Sequence, residues 1–177
     1  MHRHTTSSAM RRQRGVYALE WAIIFPVFFM LLYGIISYGL TMLVRESMQH
    51  AAEEGARAAL RYPIGIASPN WSHRYTAALS AMQRNMDWLP TAIRPNSANV
   101  KFTVCPLSAA ESAACTQDTP LNPAQACDDR VPCLVLVSYT IANYQEHAIA
   151  PGIPGLGLVL PLTLSASASL LIDRRML

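Results

Sequence analysis

The chain has 177 residues, of which 51% are hydrophobic and 14% are charged, in agreement with one small exported domain behind a membrane-spanning stem. Its net charge of +3 originates in the first 15 residues, which carry four arginines and no acidic residue, so the chain from Val16 onward has a net charge of −1. This charge distribution excludes a basic nucleic-acid-binding domain, and no nucleic acid partner is expected.

A basic leader, residues 1–15, precedes a long apolar segment. Residues Trp21 to Val44 are uncharged and would measure roughly 36 Å as an α-helix, enough to cross a hydrocarbon core of about 30 Å. Because the arginines come first, we expect the amino terminus in the cytoplasm and the chain from about Arg45 onward across the membrane. A cleaved secretory signal is disfavoured. Such signals have an apolar stretch of only about 7 to 15 residues followed by a small-residue cleavage site, and the apolar stretch of this chain is longer.

Two residues stand out within this segment. Glu20 is an acidic residue at the start of the apolar run. The free energy of inserting it into the membrane is lower there than the roughly 2.5 to 3.5 kcal/mol required at the centre of a membrane helix. Its presence indicates either a functional role in which the carboxylate pairs with another group, or a carboxylate that is simply solvated at the headgroup boundary. Pro26 removes one backbone hydrogen bond and is predicted to bend the helix.

The helical pattern continues past the membrane to about Arg61, in an alanine-rich stretch where Glu53 and Arg57 have the i,i+4 spacing of a helix-stabilising pair. Tyr62 to Gly65 breaks this stem, and Ser68-Pro69 signals a new helix start. A second, amphipathic helix that covers a sheet is predicted from apolar residues at steps of three and four, namely Trp71, Tyr75, Ala78, Leu79, Met82, Met86 and Leu89.

Strand patterns dominate the rest of the chain. Alternation or a short β-rich run occurs over 100–104, 134–139 and 162–170. We therefore predict an α+β fold in which one amphipathic helix packs on a three- to four-stranded antiparallel sheet. Prolines and glycines over 151–161 disfavour a second membrane helix and leave two interpretations, ordinary packing or an exposed contact surface.

Four cysteines lie between the first two predicted strands and would meet an oxidising compartment: Cys105, Cys115, Cys127 and Cys133. They allow three pairings. A nested arrangement, Cys105 with Cys133 and Cys115 with Cys127, is slightly favoured over the local one, Cys105 with Cys115 and Cys127 with Cys133. A zinc site is disfavoured because no Cys-x-x-Cys pair occurs.

Motifs for catalysis are missing from the sequence, which contains no His-Glu-x-x-His, no Gly-x-Ser-x-Gly and no phosphate-binding P-loop. We therefore expect a protein that is not an enzyme and has no catalytic residues, cofactor or metal. The predicted organisation is a leader (1–15), a transmembrane and stem helix (16–61) and a periplasmic α+β domain (62–177).

The stretch Gly15-Val16-Tyr17-Ala18-Leu19-Glu20-Trp21, the apolar run with Pro26, and the segment from Arg45 to Leu60 resemble the TadE-like minor pseudopilins of tight-adherence (Tad/Flp) pilus systems. The resemblance implies cleavage by a prepilin peptidase between Gly15 and Val16, which leaves Glu20 at the fifth mature position. Trp21 stands where Flp-type pilins usually carry tyrosine.

The same resemblance implies a structural role in pilus biogenesis, adhesion and surface colonisation. The implied partners are the prepilin peptidase, other minor pseudopilins, the inner-membrane assembly platform and membrane lipid. The implied location is the bacterial inner membrane, as a single-pass protein with a periplasmic domain. The alternative is a periplasmic binding module that keeps its leader and stays permanently anchored, outside any filament.

Overall fold

The computed structural model describes residues 9–61, 71–106, 132–150 and 160–172. Cys115, Cys127 and most of the proline- and glycine-rich loop lie outside the described residues. The chain divides into two compact units, Met1–Gly39 and Leu40–Leu177.

Helix α1, Ala9–Leu60, begins within the predicted leader, continues through the membrane segment and the stem, and ends one residue before the predicted end of the stem. It contains Pro26. From Gly15 to Leu32 every residue is exposed, and the apolar part has the length and composition needed to cross a membrane. This is consistent with membrane anchoring.

The second unit contains an antiparallel sheet in the order β1-β2-β3, formed by Val100–Pro106, Cys133–Ile141 and Leu164–Ile172. Helix α2 is Trp71–Asn85, a 3-10 turn covers Thr91–Ile93, and the short helix α3 is Tyr144–His147. The predicted α+β fold, with a long apolar helix followed by a helix and a three-stranded antiparallel sheet, is confirmed.

The core of the second unit lies between one face of this sheet and two helices. On β2 the buried face includes Val135, Val137 and Tyr139, while Met82 of α2 and Met48 of α1 are fully buried. Met82 of α2 and Met86, just after its end, therefore pack in the core, as the apolar stripe predicts. Residues 40–60 of α1 belong to the same unit and supply much of its core, although sequence analysis grouped them with the stem.

Close packing between α1 and α2 depends on Gly55. A Cβ added at this position would lie 2.7 Å from Cγ and 2.9 Å from Sδ of Met82, and 3.5 Å from the Ala78 carbonyl oxygen. Met82 is fully buried, so its side chain cannot move aside without disturbing the core. The glycine thus allows the two helices to approach, which offsets its unfavourable helix propensity.

The end of α1 is held by a buried arginine from α2. Arg74 is only 2% exposed, and its Nη1 donates a hydrogen bond of 2.9 Å to the carbonyl oxygen of Ala59, in the last turn of α1. Carbonyls in the last turn lack helical partners and carry partial negative charge, so a cation is favourable there. Arg74 therefore fixes where α1 ends relative to the start of α2.

We expect Arg74→Met to lower the free energy of unfolding of the second unit by about 2 kcal/mol, because it leaves the buried Ala59 carbonyl without its donor. The matched control is Arg84→Met, which removes an exposed arginine from the last turn of the same helix. Urea unfolding followed by circular dichroism measures both. Equal stability of the two variants would show that the Arg74 hydrogen bond contributes nothing.

Tyr139 connects the sheet to the 3-10 turn. Its hydroxyl donates a hydrogen bond to the carbonyl oxygen of Ile93, and its side chain is fully buried. Burial raises the pKa of Tyr139 well above its usual value, because the phenolate would lose its hydration. Burial also raises the pKa of Tyr75 and of Tyr144.

A raised pKa in the folded state contributes stability below the unfolded-state pKa, and this contribution is lost as pH rises toward the folded-state value. We therefore expect the second unit to lose stability above about pH 10, where tyrosines of the unfolded chain ionise. Tyr139→Phe should cost about 1 kcal/mol at pH 7 but should weaken the alkaline loss. Urea unfolding between pH 8 and pH 11 would detect this; parallel pH profiles for both proteins would contradict it.

One predicted side-chain pair is wrong. Arg57 does not pair with Glu53; its Nη1 lies 3.0 Å from Oε1 of Glu54, three residues earlier. Glu53 instead accepts a hydrogen bond from Gln49, with an Nε2–Oε1 distance of 3.4 Å. Both carboxylates lie about one helical turn from Arg57. Glu54 pairs with Arg57, and Glu53 is hydrogen-bonded to Gln49. This exposed pair contributes little to stability.

Candidate functional site

The residues predicted to carry function lie on the exposed half of α1. Gly15, Val16 and Glu20 belong to one continuous helix and are all exposed. Positions four residues apart share a helix face, with Cβ atoms about 5 to 6 Å apart. The side chains of Val16 and Glu20 therefore lie on the same exposed face of α1.

Three glycines in this half of α1 have open space beside them in the described part of the chain. A Cβ at Gly15, Gly34 or Gly39 would meet nothing within 4 Å, in contrast to Gly55. Each costs an α-helix up to about 1 kcal/mol relative to alanine. Small residues of this kind let membrane helices approach one another closely.

Aromatic side chains surround the remaining predicted positions. Trp21 is exposed, and the rings of Phe25 and Phe29 stack with centroids 6.3 Å apart and planes inclined by 20°. Pro26 follows Phe25 inside α1. The bend at Pro26 and the influence of Trp21 on processing stay predictions.

The strand register separates two of the cysteines. Cys105 is opposite Leu134, and Cys133 is opposite Pro106, so the two cysteines are offset by one residue. Because side chains alternate between faces, they project from opposite faces of the sheet. A disulfide needs Cβ atoms about 3.5 to 4.5 Å apart, directed toward each other.

This register corrects the slightly favoured nested pairing, since it argues against a Cys105–Cys133 bond. Both side chains are fully buried, and neither is a free thiol. The pairings that remain join each of them to Cys115 or Cys127, which lie outside the described residues.

A cleft of about 490 Å³ lies at one end of the sheet, on the face away from the helices. Its polar lining residues are Asn96, Asn99, Lys101, Ser138, Thr140 and His147. Among the described lining residues there is no carboxylate or thiol, and those present offer hydrogen bonds and the positive charge of Lys101. Within the described part of the chain, no group of three or more His, Cys, Asp or Glu side chains could hold a metal ion.

Comparison with known proteins gave one family. Residues 15–57, about a quarter of the chain, match the family described as TadE-like protein. No curated protein and no solved structure gave a significant match. The matched stretch begins at Gly15 and includes Glu20, Trp21 and the buried residues of α1 up to Ala56. It confirms the resemblance drawn from the sequence.

Proposed function

We propose that this chain, which is TadE-like over residues 15–57, is a minor pseudopilin that acts as a structural and assembly component in the biogenesis of a Tad/Flp-type pilus. The family match supports a Tad pilus-related component, and the TadE-like family is one of structural or assembly proteins. The observation that supports the finer proposal is the placement of Gly15, Val16 and Glu20 on an exposed helix, where no described residue lies within 4 Å of a Cβ added at the glycine.

The proposed mechanism is assembly through α1. A prepilin peptidase cleaves between Gly15 and Val16, and the new amino group is a cation near the Glu20 carboxylate of its own or a neighbouring helix. In a low-dielectric environment an unpaired carboxylate is unfavourable, so this pairing sets the register of adjacent subunits. The exposed apolar surface and the open glycines then pack against other helices.

The proposed location follows from the same helix. The arginine-rich leader stays in the cytoplasm, α1 crosses the inner membrane once, and the second unit lies in the periplasm. There the four cysteines form two disulfides, each of which contributes about 2 to 4 kcal/mol to the stability of a small domain. The proposed partners are the prepilin peptidase, related minor pseudopilins and the inner-membrane assembly platform.

The test is the intact mass of the protein purified from a host that carries its own prepilin peptidase, before and after reduction. We expect a chain that begins at Val16 and gains four hydrogens on reduction. Gly15→Arg should remain at full length, because the peptidase requires a small residue at the cleavage position. Gly39→Ala, a change at another open glycine of α1, is the matched control and should be processed normally.

A wild-type chain that keeps its leader would overturn the processing step. It would favour the alternative of a permanently anchored periplasmic binding module. Peptide mapping of the unreduced protein in the same experiment identifies the disulfides, and the strand register predicts that no Cys105–Cys133 peptide pair is found.

A further inference from the structure

Strand β3 lies at one edge of the sheet, and its outward side offers backbone hydrogen-bonding groups. The Thr140 N–H donates to the Asn99 carbonyl oxygen, just before β1, so the even-numbered residues of β2 direct their backbone groups toward β1 and the odd-numbered ones toward β3. Because Tyr139 is opposite Ala166, the even-numbered residues of β3 bond β2. The backbone groups of the odd-numbered residues from Ser165 to Leu171 therefore point away from the sheet.

This edge lacks the features that usually prevent strand addition. Natural edge strands carry lysine or proline or are interrupted by a bulge, because their outward backbone groups accept another strand. Residues 164–172 contain no charged residue and no proline, and they pair with β2 without a bulge. The side chains of Ser165, Ser167 and Ser169 are exposed. Strand β3 can therefore accept an additional strand.

A groove runs between this edge and one flank of α1. It has a volume of about 370 Å³ and is lined by residues of β3 and of α1, namely Ser165, Ala166, Ser167, Met42, Arg45, Glu46 and Gln49. All of them belong to the second unit. An extended peptide that adds to a sheet edge gains main-chain hydrogen bonds from the strand and specificity from pockets for alternate side chains. The groove offers both.

Gln49 indicates how an added strand is held in this groove. Its Nε2 donates a hydrogen bond of 3.1 Å to the carbonyl oxygen of Ser167, on the outward side of β3. A carboxamide N–H resembles a main-chain N–H, so Gln49 occupies the position that the N–H of a residue opposite Ser167 takes in an added strand. The outward acceptor is thus accessible from the groove, and a peptide has to displace only one half-buried side chain.

Arg45 lies beside the beginning of β3. The Thr41 side chain hydrogen-bonds Tyr144, whose backbone N–H donates over 2.8 Å to the carbonyl oxygen of Leu162, two residues before β3. Arg45 is one helical turn after Thr41. Gln49, which reaches the middle of β3, is one further turn along α1. Arg45 is therefore level with the first outward residue of the strand.

This arginine supplies a cation at that end of the groove. Its side chain is exposed, and among the described residues it has no ion-pair partner. Glu46 also lines a second cleft, shared with His50 and Asn85, so it lies on the exposed ridge between the two clefts. Arginine binds a carboxylate through two parallel N–H donors. A carboxylate at the beginning of β3 would find Arg45 as its partner.

We propose that this groove binds the carboxyl-terminal segment of another protein, which adds to β3 as an antiparallel fourth strand. The last residues of a strand antiparallel to β3 lie beside the beginning of β3. Strand pairing ends at Leu164, so the terminal carboxylate of the segment lies at Arg45. Residues opposite the serines of β3 lie on the exposed face and are polar. Those opposite Ala166 and Ala168 lie on the face that α1 covers and are apolar.

A second copy of this chain fits the groove less well than a single segment. Neighbouring strands are about 4.8 Å apart, whereas the axes of packed helices are about 8 to 10 Å apart. A copy joined through its own β3 would bring its own α1 to the same groove. The proposal concerns the second unit alone, so it does not depend on cleavage after Gly15 or on assembly.

Fluorescence polarisation tests the proposal on the full-length protein in detergent. The probe is the peptide Lys-Thr-Val-Thr-Val-Thr, labelled with fluorescein at its amino end and free at its carboxyl end. We expect saturable binding, which should be about tenfold weaker for the same peptide with a terminal amide, because the pair with Arg45 is lost. Arg45→Gln should bind both peptides equally. Arg57→Gln removes an exposed arginine of the same helix outside the groove and should keep the tenfold difference.

Methylation of single peptide nitrogens tests the strand pairing without a change in the protein. In the proposed register the middle threonine is opposite Ser167, and methylation of its nitrogen should abolish saturable binding, because the N–H that β3 accepts is lost. The last valine is opposite Ala166 and its N–H faces away from β3, so methylation there should be tolerated. Equal effects of the two methylations, equal binding of acid and amide, or no saturable binding would overturn the proposal. A dimer in sedimentation velocity that Ser169→Pro dissociates would assign this edge to a second copy and would also overturn it.

Discussion

Cells whose only copy of this protein carries Glu20→Ala should lack pili, although the altered chain is inserted and folded at normal levels. Glu20 is exposed on the apolar half of α1, four residues after Val16. Its removal makes insertion easier, because no carboxylate has to enter the membrane. Its removal also leaves the amino group of Val16 without a partner. An interaction of about 3 kcal/mol in the membrane corresponds to roughly a hundredfold change in subunit incorporation.

Two matched variants separate charge from size and position. Glu20→Gln keeps the shape of the side chain but not its charge, so it should fail as Glu20→Ala does. Glu53→Ala removes an exposed carboxylate from the same helix within the second unit and should leave piliation unchanged. Electron microscopy counts pili, and intact mass shows whether the chain still begins at Val16. Normal piliation by Glu20→Ala at normal protein levels would refute the assembly role of this carboxylate.

Periodicity was sufficient to predict helix α2 and the strands, but not the 3-10 turn or the short helix α3. Alternation of apolar residues predicted β1 and β3 because one face of each strand packs against a core, and the steps of three and four predicted α2 for the same reason. The resemblance carried by Gly15 to Trp21, by the apolar run with Pro26 and by the segment from Arg45 to Leu60 indicated the family that the comparison then matched over 15–57. These features are local, so a single sequence contains them.

Features that depend on contacts between distant segments could not be predicted. Nothing near Arg74 in the sequence indicates burial, because its partner carbonyl belongs to Ala59 on another helix. Gly55 lies in an alanine-rich stretch and has no recognisable role until α2 approaches it. The opposite faces of Cys105 and Cys133 follow from a strand register in which a shift of one residue reverses the result.

Helix α1 posed a different difficulty, because one continuous helix belongs to two environments. Its residues before Leu40 form an apolar surface with little burial, whereas Val44, Met48 and several alanines after it are buried in the second unit. Alanine-rich helical sequence is compatible with a solvated stem and with a tightly packed core helix. Composition therefore could not show that residues 40–60 are part of the folded domain.

A fragment that starts at Leu40 should fold in an oxidising compartment, whereas a fragment that starts at Tyr62 should not. The longer fragment keeps the whole second unit. The shorter one lacks the helix that buries Met48, Val44 and four fully or almost fully buried alanines, and it exposes the sheet face that contains Val137. Burial of one valine or methionine contributes about 1.5 to 3 kcal/mol, so the total loss is comparable with the 5 to 15 kcal/mol that stabilise a typical domain.

Point variants in the longer fragment test the same conclusion without a change of length. Met48→Asp places an unpaired carboxylate in the core and should abolish the cooperative unfolding transition, whereas His50→Asp, on the exposed side of the same helix, should retain it. Urea unfolding and dispersion of amide resonances distinguish folded from unfolded chains. If the Tyr62 fragment unfolds cooperatively, or Met48→Asp is as stable as His50→Asp, then α1 is only an anchor. If both fail to fold as expected, residues 40–60 of α1 are an integral part of the folded domain.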